Sequence, residues 1–382
     1  MTAPTPRLKV VTVVGTRPEI IRLSAVIKRL DEHVDHVLVH TGQNYDYELN
    51  EVFFEDLGLR PPNHFLEADT SSLGAVLGSV LVAIERVLVE ERPDAFLVLG
   101  DTNSSISAVI AKRMKIPVFH MEAGNRSFDE NVPEETNRRL VDHVADYNLV
   151  YSEHARRNLL AEGLHPSRVM LTGSPMREVI QQNRAGVAAS TVLEAEQLTR
   201  NGYFLVSLHR EENVDNAARL ESILRGLEQL GTLHGLPVLV STHPRTRKRV
   251  ESLGTRFSGL SFHKPFGFHD YLALQSSAAL VLSDSGTIAE EASVLGFPAV
   301  TLRDAIERPE AQDTGSILLT GADEESIIRT SAYALSTKGE TAAHDDTPAA
   351  YMVENTSHRV VSMILSTTPS HHHRLGIRGT GS

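Results

Sequence analysis

The chain has 382 residues, 41% hydrophobic and 23% charged, with no cysteine and a formal net charge of −12; that length suits two α/β domains better than one core. Without cysteine there is no disulfide framework, no thiolate nucleophile and no thiolate-held zinc, so the chemistry falls to His, carboxylates, Arg and backbone. The negative charge and the lack of a long Lys/Arg run argue against a nucleic-acid partner, and no apolar run, Val10–Val14 included, is long enough to span a bilayer.

In chain order, short strands rich in β-branched residues are expected at Val10–Val14, Val37–His40, Phe96–Leu99, Val118–Met121 and Leu149–Tyr151. Longer helical stretches separate them, which implies a parallel sheet covered on both faces. The strands are almost continuously apolar, as in the buried middle of such a sheet. A polar stretch at Gln181–Asn201 breaks the rhythm, which restarts at Tyr203–Leu208, Val238–Ser241, Ala279–Ser283 and Ala299–Leu302. Residues 1–180 and 181–350 are therefore expected to form two Rossmann-like domains, with a helix over 351–366 packing back on the first. Residues 367–382, including the His371–His373 triplet, are expected to be a disordered tail, because that composition offers no core. Met1–Pro6 carries neither the basic nor the apolar segment of a secretion signal, so the expected compartment is the cytoplasm.

In doubly wound sheets ligands sit beyond the carboxyl ends of the strands, and the polar clusters fall there. In Gly15-Thr16-Arg17-Pro18-Glu19 the glycine suits a tight turn and Pro18 the first turn of a helix, which aims Arg17 over the strand end. Asp101, Glu122 and Glu134 are carboxylates at strand ends or in the following loop, able to act as acid or base according to burial and neighbours. Each has a plain alternative: Asp101 could cap a helix starting near Asn103, and Glu134 could be an acidic residue favouring a helix start after Pro133. His209 follows a strand and opens a polar loop, a better place for a site histidine than for a core one. Ser285-Gly286-Thr287 opens a helix after another strand and could bring backbone N–H groups to a diphosphate, or be a simple N-cap. Glu291, further along that helix, could hold ribose hydroxyls or be a solvated carboxylate. Arg303 and Arg308 could present guanidinium forks to phosphate oxygens. No G-x-G-x-x-G follows the first strand and no Walker loop occurs, so neither nicotinamide nor ATP is expected, and no cofactor or metal is assigned.

Together these stretches resemble the non-hydrolysing UDP-N-acetylglucosamine 2-epimerase family. The likeness runs from about Val10 to Gly315 and is carried by GTRPE (15–19), TGQ (41–43), GDT (100–102), EAG (122–124), PEE-x-NR (133–138), HREEN (209–213), SDSGTIAEEA (283–292) and ERPEA (307–311). It implies an α/β fold of glycosyltransferase-B architecture, two Rossmann-like domains facing across a cleft, with a UDP-sugar as partner and usually a homodimer. It makes Asp101, Glu122 and Glu134 the family's catalytic carboxylates and puts His209 in its active-site histidine motif. Arg17, Ser285, Gly286, Glu291 and Arg308 match positions that hold UDP, and Arg22 falls where many members carry lysine. Thr287 replaces a glycine common in the family. Gln43 and Arg210 match where some members bind a second, activating UDP-sugar. The stretch Asn125–Asp129 is more like relatives acting on diacetamido-uronates or 6-deoxy-hexosamines.

The implied reaction is C2 inversion of a UDP-N-acetylhexosamine, UDP-GlcNAc to UDP-ManNAc, for cell-surface polysaccharide precursors. C2–H has no adjacent carbonyl to make it labile, so the expected route is anti elimination of UDP to a 2-acetamidoglucal and re-addition from the other face. A glycosyltransferase of the same fold, a hydrolase releasing the free epimeric sugar, and a silent UDP-sugar sensor are the competing readings.

Overall fold

The Lys-Val-Val-Thr-Val-Val run forms a strand whose last five residues are buried, and it joins a seven-stranded parallel sheet in the computed structural model, which describes residues 7–42, 47–242, 244–338 and 347–377. In chain order that sheet comprises β1 (Lys9–Val14), β2 (Asp35–His40), β3 (His64–Phe65), β4 (Ala95–Leu99), β5 (Val118–Met121), β6 (Tyr147–Val150) and β7 (Val169–Leu171). Their spatial order is β3-β2-β1-β4-β5-β6-β7, so the winding reverses between β1 and β4, and a ligand crevice is expected at the carboxyl ends of those two strands. Val11, Val13, Phe96 and Val98 meet Ile84, Val87 and Leu88 of the Leu73–Glu91 helix in a buried core. Each such side chain contributes roughly 1.5–3 kcal/mol by leaving water.

A second sheet repeats the plan with β8 (Phe204–Leu208), β9 (Val238–Thr242), β10 (Leu260–His263), β11 (Leu280–Ser283), β12 (Ala299–Thr301) and β13 (Leu318–Leu319). Its order, β10-β9-β8-β11-β12-β13, reverses between β8 and β11. Both sheets are parallel throughout. The four strands absent from the sequence reading, β3, β7, β10 and β13, are the sheet edges, two to four residues long. Runs that short carry no readable period.

The chain divides into one unit of Met1–Gln182 with Val353–Ser382 and a second of Asn183–Met352. Within the first, the Thr356–Thr367 helix buries Val360, Val361 and Ile364 and packs on the Arg17–His33 helix. Arg29 Nε donates to Ser357 Oγ at 2.8 Å, and Ser357 N–H donates to Glu178 at 2.8 Å. No helix among the described residues is long and apolar enough to cross a membrane.

The tail departs from expectation. A 3-10 turn at Thr368–Ser370 and a short helix at His371–Arg374 continue the fold. His371 is buried, its Nδ1 3.2 Å from the Tyr147 hydroxyl and its ring edge-on to Tyr147. His372 Nε2 donates to the Lys115 carbonyl at 2.8 Å. Tyr147 stacks on Phe119, so His371 closes an aromatic surface of the first unit. Burial lowers its pKa and favours the neutral ring. Residues 378–382 lie outside the described residues.

Candidate active site

At the β1 end of the first unit, Thr16 caps the Arg17–His33 helix in extended conformation and Pro18 sits in its first turn. Arg17 places its guanidinium carbon 5.5 Å from the centre of the Phe53 ring, a cation–π contact that steadies a long side chain beside the crevice. Glu19 turns back and is buried: it accepts from Gly15 N–H at 2.8 Å, Thr16 N–H at 2.7 Å, Thr16 Oγ at 3.0 Å and Thr102 Oγ1 at 2.6 Å. Burial pushes its carboxyl up to about 7 even though all these donors pull the other way.

The three predicted carboxylates surround the neighbouring strand ends. Asp101 follows β4 through Gly100, whose φ of +72° suits glycine. Its carboxylate takes both Nε, at 3.0 Å, and Nη2 of Arg138, and Asn137 Nδ2 holds its carbonyl at 3.0 Å. Glu122, just past β5, sits at φ +62°, a left-handed conformation that is costly for a residue with a Cβ and collects at functional sites. It is ion-paired with the buried Arg22. A Cβ on Gly100 would stand 3.5 Å from Glu122 Oε2, so the two carboxylate turns adjoin. Glu134 is half-buried in the first turn of the Pro133–Val144 helix, which also supplies Arg138.

Beneath these turns runs a buried ionic row. His120 Nε2 donates to the Gly100 carbonyl at 2.8 Å, and its Nδ1 lies 3.0 Å from Asp142. Asp142 accepts from Gly124 N–H and, at 2.7 Å, from Arg126, which forks onto Glu162 at 2.8 and 2.7 Å. Gly124 is irreplaceable on two counts: its φ is +80°, and a Cβ there would meet the Ala155 carbonyl oxygen at 2.4 Å. Asn125 and Arg126, read above as substrate-related, are both buried, and Arg126 serves this row.

In the second unit, His209 follows β8 and Asp284 follows β11, on either side of the winding reversal. Buried Asp284 accepts the N–H groups of His209 and Arg210 at 3.1 and 3.0 Å and the Asn213 amide at 3.1 Å, and it faces His209 Nδ1 at 3.0 Å. Nε2 of the exposed His209 ring is thereby turned away from the anchor. Burial alone would raise the Asp284 carboxyl; the His209 ring and these donors overcome it and hold the group down at about 2. A depressed carboxyl stabilises the fold above its unfolded pKa and loses that contribution as pH falls through its folded one. The shift is worth on the order of 2 kcal/mol. Urea midpoints of the native protein should therefore fall between pH 4 and pH 2 by more than those of Asp284→Asn; parallel curves for the two would refute the assignment.

Ser285, Gly286 and Thr287 form the loop before the Ile288–Leu295 helix, with Ser285 Oγ 2.9 Å from Thr287 Oγ1. Arg308 is buried, donating through Nε to the Gly286 carbonyl at 2.8 Å with Nη2 3.1 Å from Glu290. It fixes that loop from below. Arg210 Nε donates to the Asp284 carbonyl at 3.1 Å. Arg303 is spent on Glu307, its two nitrogens at 2.5 and 2.7 Å, rather than presented as a free fork. Glu291 lies in the first turn of the helix and accepts from buried Gln275 at 2.6 Å.

The structure thus places Arg17, Arg22, Asp101, Glu122 and Glu134 beyond the carboxyl ends of the central strands of one sheet, and His209, Arg210, Ser285, Gly286, Thr287 and Arg308 beyond those of the other. Gln43 lies outside the described residues. Sequence reasoning assigned no role to Glu19, Arg138, Asp142 or Asp284. Three of the four stand inside or beside the recognised motifs; Asp142 stands in none.

Residues 28–365 match the family model described as UDP-N-acetylglucosamine 2-epimerase. The UDP-N-acetylglucosamine 2-epimerase of Methanocaldococcus jannaschii is 38% identical over 333 residues, 84% of this chain and 91% of that protein. A crystal structure of the M. jannaschii UDP-GlcNAc 2-epimerase in complex with UDP-GlcNAc and UDP aligns with a TM-score of 0.87 at 34% identity, covering 94% of this chain and 100% of that one. A structure of the Rickettsia bellii UDP-N-acetylglucosamine 2-epimerase aligns with a TM-score of 0.91 at 42% identity, over 97% and 100% of the two chains. The UDP-2,3-diacetamido-2,3-dideoxy-D-glucuronate 2-epimerase of Pseudomonas aeruginosa is 35% identical over 324 residues, 84% of this chain and 90% of that protein.

Proposed function

This chain belongs to the UDP-N-acetylglucosamine 2-epimerase family, and from that premise we propose that it interconverts UDP-GlcNAc and UDP-ManNAc by anti elimination and re-addition of UDP. A carboxylate removes H2, the C2–H electron pair becomes the C1=C2 bond, and the C1–O bond breaks with its pair leaving on the diphosphate. In the return step a diphosphate oxygen attacks C1 while a carboxylic acid delivers a proton to the opposite face of C2. Asp101, Glu122 and Glu134 carry the proton transfers. Arg17, Arg22, His209, Arg210 and the Ser285-Gly286-Thr287 loop stabilise the departing diphosphate, with Arg308 bracing the loop and Glu291 on the ribose. The protein works as a homodimer in the cytoplasm.

One observation carries this reading: Asp101 and Glu122 stand at the ends of paired strands, each held by an arginine, beside the winding reversal of their sheet. Incubation with UDP-GlcNAc in deuterium oxide should give UDP-ManNAc carrying deuterium at C2, followed by proton NMR. Product without C2 deuterium would overturn the elimination route, and free sugar as the main product would mark a hydrolase. Turnover without any acceptor separates it from a glycosyltransferase.

Arg17→Ala should weaken UDP binding about ten- to a hundredfold by calorimetry, the worth of one charge-assisted contact to phosphate; native-like affinity would remove Arg17 from the diphosphate site. The Pseudomonas relative favours one second substrate. Faster turnover of UDP-2,3-diacetamido-2,3-dideoxy-glucuronate than of UDP-GlcNAc in the same assay would move the specificity there.

A further inference from the structure

Glu19 does more than cap a helix. In an ordinary capping box the acidic residue reaches the N-cap amide in water. Here the carboxylate is buried, at the cost of its solvation, and one of its oxygens leaves the helix altogether. Oε2 collects Gly15 N–H, Thr16 N–H and Thr16 Oγ, whereas Oε1 takes the hydroxyl of Thr102, 83 positions away. Thr102 directly follows Asp101. Its Oγ1 accepts in turn from Ser104 N–H at 3.1 Å, and Ser104 Oγ lies 3.1 Å from Thr41 Oγ1. Hydrogen bonds passing through Thr102 and Ser104 therefore join the loops after β1, β4 and β2, with Glu19 supplying the one carboxyl group.

We propose that Glu19 is a positioning residue for the reaction: its carboxylate ties the Arg17 turn to the Asp101 turn, so that the diphosphate-binding guanidinium and the proton-transferring carboxylate keep one mutual geometry. The inference rests on the epimerase reading above. A helix cap alone would require only the Oε2 contacts. The Oε1–Thr102 bond spans the winding reversal and is unnecessary for capping. Because that bond can be removed from the Thr102 side without touching the cap, the two roles are separable.

The test uses the full chain and three variants. Thr102→Val keeps the shape and deletes the bridge, and should lower kcat about ten- to a hundredfold, the effect of a small misplacement of a reacting group. Its KM and UDP affinity should stay within about twofold of native and its melting temperature within a few degrees. Thr102→Ser should restore kcat. Glu19→Ala, which also releases the Gly15 and Thr16 amides, should lose both turnover and UDP affinity, the latter about tenfold. Native kcat in Thr102→Val would overturn the proposal, as would native UDP affinity in a folded Glu19→Ala. Native turnover measured alongside keeps the two readings apart, since inactivity of the native protein would count against the epimerase reading, whereas the UDP affinity of Glu19→Ala reads the Arg17 half of the bridge with no turnover needed.

Discussion

Asp101→Asn should cut epimerisation by roughly 10²–10⁴-fold, the usual weight of a proton-transfer group, and leave UDP affinity within about threefold. The two halves of that expectation come from different observations. An amide cannot take H2, whatever its placement. The diphosphate, by contrast, is assigned to Arg17 and to the loop after β11, neither of which touches the Asp101 carboxylate among the contacts described. Nor should the fold suffer much, because Arg138 keeps its 2.7 Å bond to Glu135 when Asp101 loses its charge. Steady-state turnover, calorimetric UDP titration and a melting curve on one preparation decide the matter. Native turnover in Asp101→Asn would take this residue out of the chemistry and leave Glu122 and Glu134 to carry it.

Asp142→Ala should be the most damaging substitution for stability, at about 3–5 kcal/mol, the usual cost of removing one partner of a buried ion pair. Asp142 and the Arg126 side chain are fully buried, so the guanidinium would be left without its carboxylate away from bulk solvent. The Gly124 amide and His120 would be stranded with it. Against a total of roughly 5–15 kcal/mol for a domain, the variant should unfold at a much lower urea concentration and express poorly. Asp323→Ala is the matched control. That aspartate only caps an exposed helix end, accepting from Ser326 N–H at 2.9 Å, and its loss should cost about 1 kcal/mol. Equal urea midpoints for the two variants would show that the buried row carries no special weight.

The central strands were legible because burial on both faces leaves an uninterrupted apolar run, as at Phe96–Leu99 and Val118–Met121. The edge strands were not, for β3 and β13 are two residues each and take their form from a neighbour. In the site, residues at strand ends could be listed from sequence, but their partners could not. Arg138 reaches Asp101 across 37 positions, and His209 finds Asp284 across 75. Such pairs are decided by sheet order, which leaves no periodic trace. Arg308 shows the same limit from the other side. Its type and place suggested a phosphate fork, yet its burial and the Gly286 and Glu290 contacts turn it inward. The ordered turn of the tail is not legible either, because composition says nothing of the aromatic face on Tyr147 that His371 covers.

The return of residues 353–377 to the first unit has a consequence during synthesis. The ribosome delivers Asn183–Met352 as one uninterrupted stretch, and that part can finish as soon as it emerges. The first-made part cannot: until Ser357, Ile364 and His371 arrive, Arg29, Glu178 and Tyr147 lack the contacts that seal them. The first unit is thus completed later in synthesis than the second, reversing the usual order in which domains fold from the amino end.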